Sequence, residues 1–140
     1  MRNNECKIQM LDLYFSKYSF EQIRGDGNSE YNTSFKIEYA VNSMDETKVK
    51  VCIDTVASNE NKSLNINLQT IGIFQVDKAN LDKSTYERLV KANTVAIIFP
   101  FIRSQISLMT TQPGIVPIML QPININALID SEEDDSKGES

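Results

Sequence analysis

Phe35-Lys36-Ile37-Glu38-Tyr39-Ala40-Val41 decides the fold. Its odd positions are apolar and its even positions largely polar, the period of two that gives a strand one greasy and one wet face. Downstream, Asn42-Ser43-Met44-Asp45-Glu46 is turn-like, and Val49, Val51 and Ile53 then alternate with Lys50, Cys52 and Asp54, so the two runs read as a hairpin. A second polar turn, Ser58-Asn59-Glu60-Asn61-Lys62, leads into Leu64, Ile66 and Leu68 alternating with Asn65, Asn67 and Gln69. That makes a three-stranded meander. Upstream, Ile8–Phe20 is rich in Tyr, Phe and Leu and supplies a fourth strand; the short loop around Gly25-Asp26-Gly27-Asn28 favours antiparallel pairing. At Gly72 the parity changes, since Ile71 and Ile73 leave the even-numbered register, and a glycine inside a strand is where a bulge is expected.

Beyond Asp82 the period becomes helical. Ser84-Thr85-Tyr86-Glu87 fits a capping box, which predicts a short helix through Ala92. A long helix follows, with a start or bend at Pro100, because proline is comfortable only in a helix's first turn. Val95, Ile98, Phe99 and Ile102 form one apolar side of it, and Ile97, Phe101 and Leu108 a second. One side covers the sheet. A single domain of this size has nothing left to cover the other, so Ile97, Phe101 and Leu108 are assigned to an interface between subunits. Thr110-Thr111-Gln112-Pro113-Gly114 ends the helix, Pro117 and Pro122 keep the next stretch extended, and Asn124 or Asn126 caps a last short helix containing Ala127, Leu128 and Ile129. The acidic run from Asp130 to Asp135 opposes the dipole at that helix's end, so the helix should fray near Ser131. The reading is α+β: a four-stranded antiparallel sheet packed with a long helix and a short C-terminal helix, one domain over 1–130 and an acidic disordered tail over 131–140.

Composition narrows the function. At 140 residues the chain fits one compact domain, and 41% hydrophobic with 24% charged residues is ordinary for a globular protein. A net charge of -5 opposes nucleic-acid binding. The absence of histidine removes imidazole as base, proton shuttle or metal ligand. Asp54, Asp77 and Glu87 supply carboxylates, but their spacing neither pairs an acid with a base nor gathers a metal, so no enzyme, cofactor or metal is expected. Cys6 and Cys52 lie far apart and read as reduced thiols in a cytosolic setting. No apolar signal segment follows Arg2 and Glu5, and the greasy run Val95–Ile102, closed by Arg103, falls short of the ~18 residues of a membrane span. The chain reads as soluble and cytoplasmic.

Several short elements fall in a familiar order. Gly72-Ile73-Phe74, then Ile98-Phe99-Pro100-Phe101 followed by Arg103, then Pro122-Ile123-Asn124-Ile125-Asn126-Ala127-Leu128 resemble the SecB family of protein-export chaperones. Ser19-Phe20-Glu21, and Tyr31 with Phe35, Ile37 and Tyr39, extend the resemblance upstream, so that it covers Tyr14 to Ile129. It implies an ATP-independent holdase, a homotetramer built as a dimer of dimers, that keeps unfolded polypeptides competent for export. It also implies apolar client grooves, in which Tyr31 stands at the family's groove tryptophan and Ile125 at its groove phenylalanine, with Phe74 nearby. Glu21 is the residue the resemblance offers to the motor ATPase SecA. The family's other acidic docking residues are replaced by Lys17 and by Asn65 and Asn67. Two alternatives stand beside general export: a SecB-like chaperone dedicated to one client such as an antitoxin, and a non-chaperone adaptor that binds one folded partner.

Overall fold

Four strands carry the alternating runs: β1 (Ile8–Gln22), β2 (Tyr31–Val41), β3 (Lys48–Asn59) and β4 (Leu64–Val76). The computed structural model describes residues 7–23, 30–59, 63–77, 82–122, 124, 125 and 127–129. Cys6, the loop around Gly25 and the acidic tail lie outside the described residues. The strands form one antiparallel sheet in the order β1-β4-β3-β2. The meander is as expected, and its first turn closes on Asn42, whose Oδ1 accepts the amides of Met44 at 2.8 Å and Asp45 at 3.2 Å. β1 is antiparallel too, but it lies beside β4 rather than beside its sequence neighbour β2, which makes the order that of a Greek key. β4 is the most completely buried strand, and pairing it on both edges places its apolar residues at the sheet's centre.

The parity change expected at Gly72 does not occur. Every even-numbered residue of β4 from Leu64 to Val76 faces inward and is buried, with Thr70 and Gly72 filling two of those slots. Ile71 and Ile73 belong to the outer face, and β4 runs in unbroken register against β3 through Val51 opposite Gly72. The bulges sit instead on β1, between Met10 and Asp12 and between Phe15 and Lys17. Gly72 is required by crowding: a Cβ there would stand 2.7 Å from Phe74 Cε1 and 2.9 Å from Ile98 Cδ1.

Beyond the sheet runs one helix, α1 (Lys83–Met109), of 27 residues, where the sequence reading expected a short helix and then a long one. Its N-cap is Asp82, not Ser84; the Asp82 carboxylate accepts the Thr85 amide at 3.2 Å, and hydrogen bonds from Thr85 hold its carboxyl below the usual range. Pro100 lies inside the helix and is exposed. It removes only the amide that the Ala96 carbonyl would have met, and buried Phe99 and Ile102 anchor the turns around it. Val95, Ile98, Phe99 and Ile102 are all buried, as their spacing required. By length and composition alone α1 would be long and apolar enough to cross a membrane, because Ile106, Leu108 and Met109 extend its apolar content beyond Arg103; here one side of it packs on the sheet. Gly114, at φ 80°, then reverses the chain, and an extended strap brings Ile118 and Leu120 back into the core. Asn124 Oδ1 accepts the Ala127 amide at 3.0 Å and so starts the short C-terminal helical turn.

Two substitutions at the sheet's centre should move stability in opposite directions in urea unfolding. Gly72→Ala must displace the Phe74 ring and Ile98, an overpacking expected to cost about 1–3 kcal/mol. Thr70→Val removes a buried hydroxyl that has no hydrogen-bond partner among the described residues and keeps the shape, so it should gain up to about 1 kcal/mol.

Candidate functional site

α1 runs over β4 and β1, which leaves the inner face at the start of the edge strand β2 for the strap to cover. It covers that face incompletely. A groove of about 370 Å³ remains, with Tyr31, Thr33 and Phe35 of β2 on one side, residues 116–122 on the other and Phe99 beneath. Among the described residues, no charged side chain lines it. Phe35 and Phe99 meet edge to face, 5.8 Å between ring centres, the arrangement the aromatic quadrupole favours. Hydrogen bonds tie the strap down: the Tyr31 hydroxyl donates to the Val116 carbonyl at 3.4 Å, the Ile118 amide donates to Thr110 Oγ1 at 2.9 Å, and the Ser107 hydroxyl donates to Met119 Sδ at 3.5 Å.

A second hollow, of about 480 Å³, opens on the outward side of α1 between Pro100, Ser104, Leu108 and Met119. Around it, Phe101 is 44% exposed, Leu108 68% and Met119 68%. These are large apolar groups in water. Ile97, placed on the same stripe by the sequence, is instead half-buried against the core.

Of the residues assigned to client binding, Tyr31 lines the groove, and Ile125 is half-buried against the core without lining it. Phe74 must be corrected. It is fully buried, packed beside Gly72 and Ile98, because its even position on β4 points at the helix. It also lies at the other end of the sheet: Tyr31 is opposite Asn59 and Phe74 opposite Val49, ten residues along β3, or roughly 33 Å. Phe35, Phe99 and Met119 belong to the groove and were not singled out for it; the two phenylalanines read as ordinary core, and only the strap's return brings Met119 to them. Glu21 is exposed on the sheet's outer face, opposite Asn65, with Ser19 opposite Asn67 and Lys17 opposite Gln69. The three departures from the family's acidic pattern therefore share one face with Glu21. Cys52 stands on that outer face opposite Ile71 as a free thiol, and burial, helped by the Asp54 and Glu38 carboxylates, raises its pKa above the usual range.

The family model described as SecB, preprotein translocase subunit SecB, matches residues 1–136. The chain belongs to the SecB family. A protein-export protein SecB of Rickettsia akari is 35% identical over 82 residues, 58% of this chain and 53% of that one. The chain thus spans about half the length of the curated SecB relatives it matches. An uncharacterized protein of Methanocaldococcus jannaschii is 27% identical over 134 residues, 87% of this chain and 85% of its own. Among solved structures, a SecB-like chaperone of Mycobacterium tuberculosis, in complex with a peptide from an antitoxin, superposes with a TM-score of 0.69 at 13% identity, over 84% of this chain and 90% of that one. At that identity the likeness concerns the fold, which is the SecB-like sheet and helix.

Proposed function

We propose that this SecB-family protein is an ATP-independent holdase, a cytoplasmic homotetramer that grips unfolded polypeptides and keeps them competent for export. The observation that carries the reading is the uncharged groove between β2 and the strap. Apolar burial is non-directional, so such a surface holds a chain without reading its sequence. Each large side chain buried gives about 1.5–3 kcal/mol, and two or three anchors, after ordering costs, reach only micromolar to millimolar affinity. One groove is too weak. Several grooves on one assembly make later contacts intramolecular and add on the order of 10²–10⁴ in affinity. The exposed stripe of Phe101 and Leu108 is the surface proposed to build that assembly as a dimer of dimers. Folded proteins do not offer several extended apolar segments at once, which gives selectivity for the unfolded state.

A second reading, service to one dedicated client, is favoured by the outer face. Lys17, Asn65 and Asn67 stand beside Glu21 where the resemblance expects acidic groups for SecA. The fold's likeness to a chaperone seen with an antitoxin peptide supports the same alternative. Titration with SecA at low and at high salt separates the two: saturable, salt-sensitive binding supports general export, and none at low salt supports the dedicated client.

Two experiments test the main reading. Tyr31→Ser combined with Val116→Ser and Ile125→Ser is expected to abolish suppression of aggregation of a chemically unfolded protein at unchanged native mass; a wild-type chain that fails to delay aggregation would point to the adaptor instead. Phe101→Asp with Leu108→Asp should shift the native mass from tetramer toward smaller species, and an unaltered mass contradicts the assigned interface.

A further inference from the structure

Resting on the groove reading above, we infer that Thr110 is the positioning residue that sets the groove's outer wall. The strap has few ways to be held. Residues 115–122 form no regular structure, and Pro117 and Pro122 bring no amide hydrogen. Its buried tie is the Ile118 amide, and the acceptor is the Thr110 hydroxyl at 2.9 Å, eight residues back in the chain. Thr110 is itself fully buried and is the C-cap of α1. Its hydroxyl donates to the Ile106 carbonyl at 2.9 Å, so the one hydrogen it has is spent on the helix and its lone pair is left facing the strap. The helix end thereby fixes Ile118, and Ile118 fixes its neighbours. Pro117 and Met119 flank it on the groove's rim, while Ile118 and Leu120 point into the core. The Tyr31 hydroxyl meets the same strap from the sheet side, at Val116. The strap is thus held from the end of the helix, at Thr110 and more weakly at Ser107, and from an edge strand, at Tyr31, with the groove between them.

Thr110 touches no client in this arrangement, since it is not among the residues lining the groove. Its effect reaches the client through the position of Ile118. Thr110→Val keeps the shape and the packing and removes the acceptor, which leaves a buried amide without a partner unless the strap moves out. Thr110→Ser keeps the acceptor and loses only a methyl group.

The test measures binding of a fluorescein-labelled unstructured peptide with Leu residues spaced irregularly among Ser and Gly by anisotropy, with native mass and amide exchange followed on the same samples. Thr110→Val should weaken peptide binding about tenfold, the scale of one buried hydrogen bond. The assembly should keep its mass, the Ile118 amide should exchange faster while the Ile66 amide in the sheet does not, and Thr110→Ser should restore wild-type affinity. Equal affinity in Thr110→Val, or failure of Thr110→Ser to restore it, overturns the inference while leaving the groove reading intact. In the wild-type protein, saturating peptide should slow exchange of the Ile118 amide, and unchanged exchange there also overturns it. A wild-type chain that binds no peptide removes the groove reading itself and this inference with it.

Discussion

A single helix is narrower than the sheet it must cover. Four strands spaced about 4.8 Å apart present an inner face on the order of 15–20 Å wide, and a helix with its side chains spans about 10–12 Å. α1 lies over β4 and β1, where Ile98 seats beside Gly72 closely enough to forbid a side chain there. That contact seats the helix over that half of the sheet. The helix reaches β2 through Phe99 on Phe35 and through the Lys91 carbonyl, which accepts the Tyr39 hydroxyl at 3.1 Å, and the start of β2 is covered by the chain that follows. What remains is a strap with two prolines and a short helical turn, and these seal the inner face without filling it. The groove between Tyr31, Phe35 and residues 116–122 is the part left open.

The same shortage of covering elements explains the exposed side of α1. The sheet takes Val95, Ile98, Phe99, Ile102 and Ile106, and no element among the described residues covers Phe101 and Leu108. Leaving large apolar groups in water is costly, and natural monomers rarely gather them in one patch. Met119 borders both hollows, and its sulfur accepts a hydrogen bond from the Ser107 hydroxyl at 3.5 Å. A thioether on an unbranched stem adapts to varied shapes, which suits a wall shared between two apolar surfaces.

Strand alternation was legible because each strand has one buried and one wet face, and a period of two survives without any knowledge of the partner strand. The pairing of β1 with β4 was not, since sequence proximity favours β2 and only the burial of β4 on both edges selects otherwise. At Gly72 the error had a definite source. Thr70 and Gly72 lack the large apolar side chains that mark an inner face, and Ile71 and Ile73 on the outer face supplied a false rhythm. Pro100 misled in a similar way, because propensity penalises it locally while the packing of Phe99 and Ile102 holds the helix on both sides of it. Tyr31 could be placed by resemblance, but Phe74 could not be separated from the core by its motif alone, since a motif that ends a strand does not fix which side of the sheet its last residue faces. The strap's role was invisible: two prolines announce an extended segment and say nothing of where it returns.

The placement of Phe74 bears on how client contacts would be distributed. With Phe74 sealed under the helix, the aromatic groups that line the groove are Tyr31 and Phe35, both half-buried, over a buried Phe99. The apolar surface on each protomer is then short, bounded by the strap, and backed by a half-buried Ile125 rather than extended along the sheet. A short groove has room for only a few side chains, so under the proposed holdase reading affinity would come from repetition across protomers rather than from the length of any one site. The hollow beside Leu108 and the groove beside Tyr31 lie on either side of the strap and share Met119 and Leu120 as their common wall. A change at either of these two residues therefore reaches both apolar surfaces of the same small fold.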